Sequence, residues 1–177
     1  MRKTLCLLLF LFLLLPGCAQ QKEIPVCDGC IADNIWKSEQ DFLDNRAKHL
    51  QEGELAGKAI LRPVPQSEEF SLYHVLEYVP LSENYVYEFV SDGGAVRIHV
   101  YNGQDSFANF LENHDSQFGE HKTYVRKSGA VYAKDSNSWF VDHDGRLISY
   151  DLPESITLET PEELEKYFTI EAYSLTE

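Results

Sequence analysis

The chain has 177 residues, 44% of them hydrophobic and 12% aromatic, and its 29 acidic residues outnumber 15 basic ones for a formal charge of −14. That length suits a single domain with a real core, and the aromatic content excludes disorder by composition. So acidic a chain repels phosphate backbones, which excludes nucleic acid as a partner and makes a basic protein the complementary one.

Met1-Arg2-Lys3 is a short basic start, residues 4–15 are an almost unbroken run of leucine and phenylalanine, and Leu15-Pro16-Gly17-Cys18 follows at once. As a helix the 12-residue run reaches about 18 Å, short of the roughly 30 Å hydrocarbon core, so it reads as a removable signal and not as a span. The exit resembles the lipobox of bacterial lipoproteins, in which a small residue precedes the cysteine that is acylated. Gly17 and Cys18 match that pattern, and Leu15 occupies the apolar position three before the cysteine. Pro16 departs from it, standing where Ser or Ala is usual. The resemblance implies that residues 1–17 are removed and that Cys18 becomes a lipid-bearing N-terminus, with palmitate among its acyl chains. Several such chains, at about 0.8 kcal/mol per buried methylene, hold a protein to a membrane. In a Gram-negative host, Ala19 after the cysteine points to the outer membrane. Loss of the signal removes Cys6, Arg2 and Lys3, leaving 160 residues and a formal charge of −16.

Residues 18–30 read as a lipid-anchored tether, and residues 31–177 as one α+β domain. Ile31, Ile35, Phe42, Leu43, Ala47 and Leu50 recur at helical steps, with Ser38 as a cap for a second segment and Gly53 as a stop. Residues 57–62 are an apolar run ended by Pro63 and Pro65, which confine it to an edge or a turn. Residues 67–80 carry both helical spacing and strand-loving Phe70, Tyr73, Val75 and Tyr78, and lean towards a strand. The clearest element is a hairpin. Tyr85–Val90 alternates, Ser91-Asp92-Gly93-Gly94 turns, and Val96–Tyr101 alternates again, with the Asp-Gly-Gly run supplying positive φ angles. Val96, Ile98 and Val100 are expected to face the core, and Arg97, His99 and Tyr101 the other side. A helix follows from about Asp105 to Asn113. Four short strands come next, at 122–127, 130–134, 138–142 and 146–150, in a meander. Thr160-Pro161-Glu162-Glu163 opens a last helix with a cap, a proline at the first helical position and two acids in the first turn. The expected fold is an antiparallel meander-type sheet with about three helices packed on it.

Cys27-Asp28-Gly29-Cys30 is the only motif in the processed chain. Its spacing fits a thiol–disulfide exchange site, a structural disulfide or half of a metal site. No strand precedes it, and Asp28 raises the pKa of a neighbouring thiolate, so the structural disulfide is favoured over redox chemistry. No second Cys pair or closely spaced His pair completes a metal site, and no metal or cofactor is expected. Asp142-His143-Asp144-Gly145 fails as a calcium loop, because Phe140 would have to fill its first ligand position. It reads as a hairpin turn. No G-x-S-x-G elbow and no phosphate-cradling loop is present, so catalytic residues are not assigned. Arg97, His99 and Tyr101, joined by Tyr85 and Tyr87, form the candidate binding face, a composition enriched at interfaces. The sequence thus points to a membrane-anchored extracytoplasmic lipoprotein with a small, non-catalytic binding domain for a protein partner or small ligand, in the manner of an inhibitor or immunity protein. A thiol-redox lipoprotein using Cys27 and Cys30 is the alternative.

Overall fold

The structure, a computed structural model, describes residues 32–51, 59–78, 84–103, 106–118, 122–125, 131–135 and 137–173. The signal, Cys18, Cys27, Cys30, Gly53 and His121 lie outside these residues.

Ten strands and three helices are present among the described residues. In chain order they are β1 (Asn34–Trp36), α1 (Glu39–Gln51), β2 (Ile60–Pro65), β3 (Ser71–Glu77), β4 (Asn84–Ser91), β5 (Gly94–Tyr101) and α2 (Ser106–Phe118). They continue with β6 (Lys122–Val125), β7 (Val131–Asp135), β8 (Ser138–His143), β9 (Arg146–Asp151), α3 (Pro161–Tyr167) and β10 (Phe168–Tyr173). Eight strands form one antiparallel sheet in the order β1-β3-β4-β5-β9-β8-β7-β6, and β10 pairs with β2 in a separate antiparallel ribbon. The expected α+β fold is therefore the one found.

The β4–β5 hairpin sets the polarity of the sheet. Ser91 pairs with Gly94, so the loop is only Asp92-Gly93. Gly94 takes a φ of 128°, a conformation open to glycine at little cost. The register then puts Tyr85 opposite Val100, Tyr87 opposite Ile98 and Phe89 opposite Val96, and all six are buried. Onto this face pack Phe42 and Leu43 of α1, Leu61 of β2, Leu164 of α3 and Phe168 of β10, with Ile148, Tyr150 and Trp139 extending the core across β9 and β8. Aromatic rings hold the layers together at offset and edge-on geometries. Phe42 lies 5.0 Å from Tyr85, and Phe168 lies 4.9 Å from Phe70 and 5.2 Å from Phe89, centroid to centroid.

On the other face α2 covers the β8–β9 end. Phe110 stacks on Phe140 with centroids 4.2 Å apart. Ser106 Oγ accepts from the Leu147 amide at 2.6 Å and donates to the Tyr101 carbonyl at 3.1 Å, fixing the start of the helix. The β8–β9 hairpin turns through Asp144 (φ 54°) and Gly145 (φ 81°), the paired positive angles of a type I′ loop. Asp142 Oδ1 closes it by accepting from the Gly145 amide at 2.7 Å.

Helix ends follow local chemistry. Thr160 and Glu163 form a reciprocal capping box around Pro161 at the start of α3, and Ser38 Oγ accepts from the Asp41 amide at the start of α1. The helical reading of residues 31–37 is corrected over the described part, 32–37, and Ile31 lies outside the described residues. Asn34–Trp36 form β1, because their side chains are drawn to a carboxylate on the neighbouring strand. Glu77, 1% exposed, accepts from Trp36 Nε1 at 2.9 Å and Asn34 Nδ2 at 3.3 Å through one oxygen. Through the other it accepts from Arg46 Nε and Nη2 at 3.0 and 2.6 Å. The Arg46 guanidinium lies over the rings of Tyr85 and Phe42. The helix expected to close at Asn113 runs on to Phe118, and β10 follows α3 directly where no strand was expected. The prolines of β2 fall on an edge, since β2 pairs with β10 alone.

Removing one partner of a buried pair strands the other charge. Arg46→Met is expected to lower unfolding free energy by about 3–5 kcal/mol in urea denaturation. Arg46→Lys, which keeps the charge but loses the fork, should recover only part of it. An Arg46→Met loss below about 1 kcal/mol would contradict the burial of Glu77 described above.

Candidate binding cleft and the charged row beside it

The face of the sheet opposite the core carries a row of ionisable side chains at right angles to the strands. His74 on β3 pairs with Glu88 on β4, Glu88 with Arg97 on β5, Arg97 with Asp151 on β9, and Asp151 with Ser138 on β8. Directly opposed residues on a sheet face are close enough to interact. His74 Nε2 is 2.6 Å from Glu88 Oε2, Arg97 Nε and Nη2 are each 3.0 Å from Glu88 Oε1, and Ser138 Oγ donates to Asp151 Oδ1 at 2.8 Å. His99 Nε2 reaches Asp151 Oδ2 at 3.1 Å and its ring stacks on Tyr101.

Burial lowers the pKa of the His74 imidazole, an effect that Glu88 opposes and Arg97 reinforces. Burial likewise lowers that of His143 at the β8–β9 turn, with the Arg146 charge adding to it. Burial pushes the Asp151 carboxyl up, but hydrogen bonds from His99 and Ser138 and the charges of His99 and Arg97 outweigh it and leave it below its ordinary range. Burial raises Tyr101, helped by Asp151.

Of the expected binding face, Arg97, His99 and Tyr101 lie together on this side of the sheet, half-buried. Tyr85 and Tyr87 do not join them, and that part of the expectation is corrected. Both are fully buried on the core face. A turn with an even number of residues between the strands puts odd-numbered positions of one strand beside even-numbered positions of the other, so Tyr85 and Tyr87 share a face with Val100 and Ile98. The Tyr85 hydroxyl donates to the Leu61 carbonyl at 2.6 Å and accepts from Asn102 Nδ2 at 3.3 Å, and its pKa is pushed up to about 12, chiefly by burial. Glu88 takes the place the sequence reading gave to the tyrosines. A lone acid inside the alternating run of β4, eight residues before the expected return strand begins at Val96, was the available signal.

At the tip of the same hairpin the surface opens into a cleft of about 910 Å³. Its floor is the turn itself. Gly93 and Gly94 approach Ser155 and Pro153 so closely that a Cβ on either would come within 3.0 Å of them, and Ser155 Oγ donates to the Gly93 carbonyl at 2.5 Å. The walls carry Tyr73 and Tyr167, with Ile156 at the base, and the rim carries the exposed carboxylates of Glu68, Glu69 and Asp92. Tyr167 is braced edge-on against Phe70. Tyr73 is placed by a bulge. The β3–β4 register shifts between Leu72 and His74, which leaves an extra residue in β3, and such bulges re-aim side chains. The Tyr73 and His74 rings lie 4.5 Å apart, so the cleft wall touches the end of the charged row. None of these lining residues was singled out as a site from the sequence. They come from four separate stretches, around 70, 92, 155 and 167, and no local pattern joins them.

No family model, curated protein or solved structure matches the chain. Among the described residues no group of three His, Cys, Asp or Glu side chains is placed to hold a metal ion, and no helix is long and apolar enough to cross a membrane.

The pKa directions fix a pH dependence. A histidine whose folded pKa is lowered takes its proton more readily unfolded, so stability is lost as pH falls below about 6.5. A depressed aspartate such as Asp151 adds stability above its unfolded value, and that is lost as pH falls through the folded one. Unfolding free energy should therefore decline first below about pH 6.5 and again below about pH 4. The first decline should be shallower in His74→Gln, with His143 supplying the remainder. Denaturant titrations at half-unit pH steps check this, and an unchanged slope in His74→Gln would show that His74 is not held neutral.

Proposed function

We propose that this chain is an extracytoplasmic lipoprotein, anchored through Cys18, whose α+β domain binds a partner in the cleft at the β4–β5 tip without doing chemistry on it. The observation that carries the binding role is the cleft. Its volume of about 910 Å³ falls in the range of sites that hold ligands, and its two tyrosine walls face a rim of three carboxylates and a lining of three serines, so it offers both stacking surface and polar groups. Its described lining contains serines but no histidine or cysteine to activate a nucleophile, which favours binding over catalysis. The anchor is supported by the order of residues at the start of the chain, where the apolar run stops and Gly17-Cys18 follows within two residues. An acidic domain held at a membrane suits recognition of a protein in the same compartment.

The test is expression of the full-length chain in a bacterium supplied with radiolabelled palmitate. The expected result is label on the protein and recovery in the membrane fraction, with both lost in Cys18→Ala. A photo-cross-linker placed at Ser71, on the cleft rim, should trap a protein from cells that carry the anchored form. Wild-type protein free of label would overturn the anchor. A cross-linker at Ser71 that traps nothing, while one at Glu112 on α2 does, would overturn the cleft as the binding site.

A further inference from the structure

Three features of the sheet edge at the cleft point the same way, and Tyr73 is common to the second and the third. The first is charge. Glu68, Glu69 and Asp92 stand on the rim, and no lysine, arginine or histidine is found in the described lining. The second is the aromatic wall. Tyr73 and Tyr167 line the cleft beside Glu68, Glu69 and Asp92, and an aromatic ring beside carboxylates is the arrangement that attracts a guanidinium or an ammonium group. The third is exposed apolar surface. Among the described residues, the large hydrophobic side chains left exposed are Tyr73, at 38%, and Ile35, at 56%. Both lie at one edge of the sheet, since Ile35 on β1 pairs with Leu76 on β3, three residues along from Tyr73. That edge is also short of strand. β1 pairs with β3 only from Val75 to Glu77, and the chain then turns away into α1, capped by Ser38, leaving Ser71 to His74 beyond its end. Exposed aromatic and aliphatic side chains along one sheet edge fit a protein-binding surface better than a small-ligand one.

We infer that the cleft and the β1–β3 edge form a docking surface for a basic segment of a partner protein, with an arginine or lysine side chain seated between Tyr73 and Tyr167 under the carboxylates of Glu68, Glu69 and Asp92. The inference rests on the binding role proposed above and names the chemistry of its partner. The cleft is far larger than one amine needs, which leaves room for the peptide on either side of the cation. The net charge of −14 draws basic partners from a distance, and the cleft supplies the specific seat.

The probe is a fluorescein-labelled peptide alternating arginine and serine, titrated with full-length protein in detergent and read by anisotropy. Binding is expected to weaken as salt rises. Tyr73→Ala and the double variant Glu68→Gln/Glu69→Gln should each weaken it about tenfold or more. Asp44→Asn/Glu112→Gln, which removes the same charge from distant exposed positions, should leave it within about twofold. Equal losses in the two double variants would overturn the proposal, because the peptide would then be sensing net charge alone. Spermidine competing as well as the unlabelled peptide would overturn it in favour of a small-amine site. Ser71→Trp separates this inference from the reading beneath it. If Ser71→Trp abolishes capture of the cellular partner while the charge variants do not, the cleft binds but not through a cation, and only this inference falls. If neither variant affects capture, both fall.

Discussion

Two residues, Asp92 and Gly93, decide which side of this protein is inside. Because the loop between β4 and β5 is that short, every position on one strand is matched to a position of opposite parity on the other. Three tyrosine and phenylalanine side chains of β4 therefore join three β-branched residues of β5 on a single face. A slip of one residue between them would carry the three apolar side chains of one strand to the other side and bring Glu88 or Arg97 into the core. The helices α1 and α3 and the β2–β10 ribbon pack on the face so chosen. The charged row then has only the opposite face available.

The molecule thus keeps two kinds of interior. On one face burial is apolar, with rings meeting edge to ring across layers, and the gain scales with area removed from water. On the other, His74, Glu88, Arg97 and Asp151 follow one another along one row, His74 and Glu88 buried, Arg97 and Asp151 partly open to water. Such pairs add less to stability than an apolar face of equal size, because desolvation offsets much of the attraction. They do specify register, since a one-residue slip would set like charges together or leave Glu88 without its partners. Glu77 does the same for β1 and α1. Its two oxygens receive donors from Asn34, Trp36 and Arg46, so one buried carboxylate fixes a strand and a helix that have little else in common.

Much of the fold was legible wherever the signal was local. The hairpin, the capped start of α3 and the I′ turn at Asp144-Gly145 were readable because their determinants sit within a few residues of one another. β1 and β10 were not. Asn34–Trp36 is too short for a period, and its strand character comes from Glu77, more than 40 residues away in the chain. β10 exists through its pairing with β2 on the far side of the sequence. The faces of β5 were legible from alternation, whereas the faces of β4 were misassigned because strand parity was not carried through the turn. The cleft was invisible for a plainer reason. Its walls meet only after β3, the β4–β5 tip, the stretch before α3 and the end of α3 have been brought together.

The floor of that cleft is glycine backbone pressed against Ser155 and Pro153, where a Cβ at Gly93 would crowd the Ser155 hydroxyl and one at Gly94 would crowd Pro153 on a backbone already at a φ of 128°. The same turn fixes the sheet register. Inherited variation therefore has little freedom to reshape the base of the cleft, since a change there disturbs the fold before it alters recognition. The rim is under no such restraint: Glu68, Glu69 and Tyr73 are exposed and can be exchanged without touching the core. Under the binding role proposed above, a lineage carrying this domain would retarget it by drift at the lip while the base stays fixed, and divergence between relatives should concentrate there.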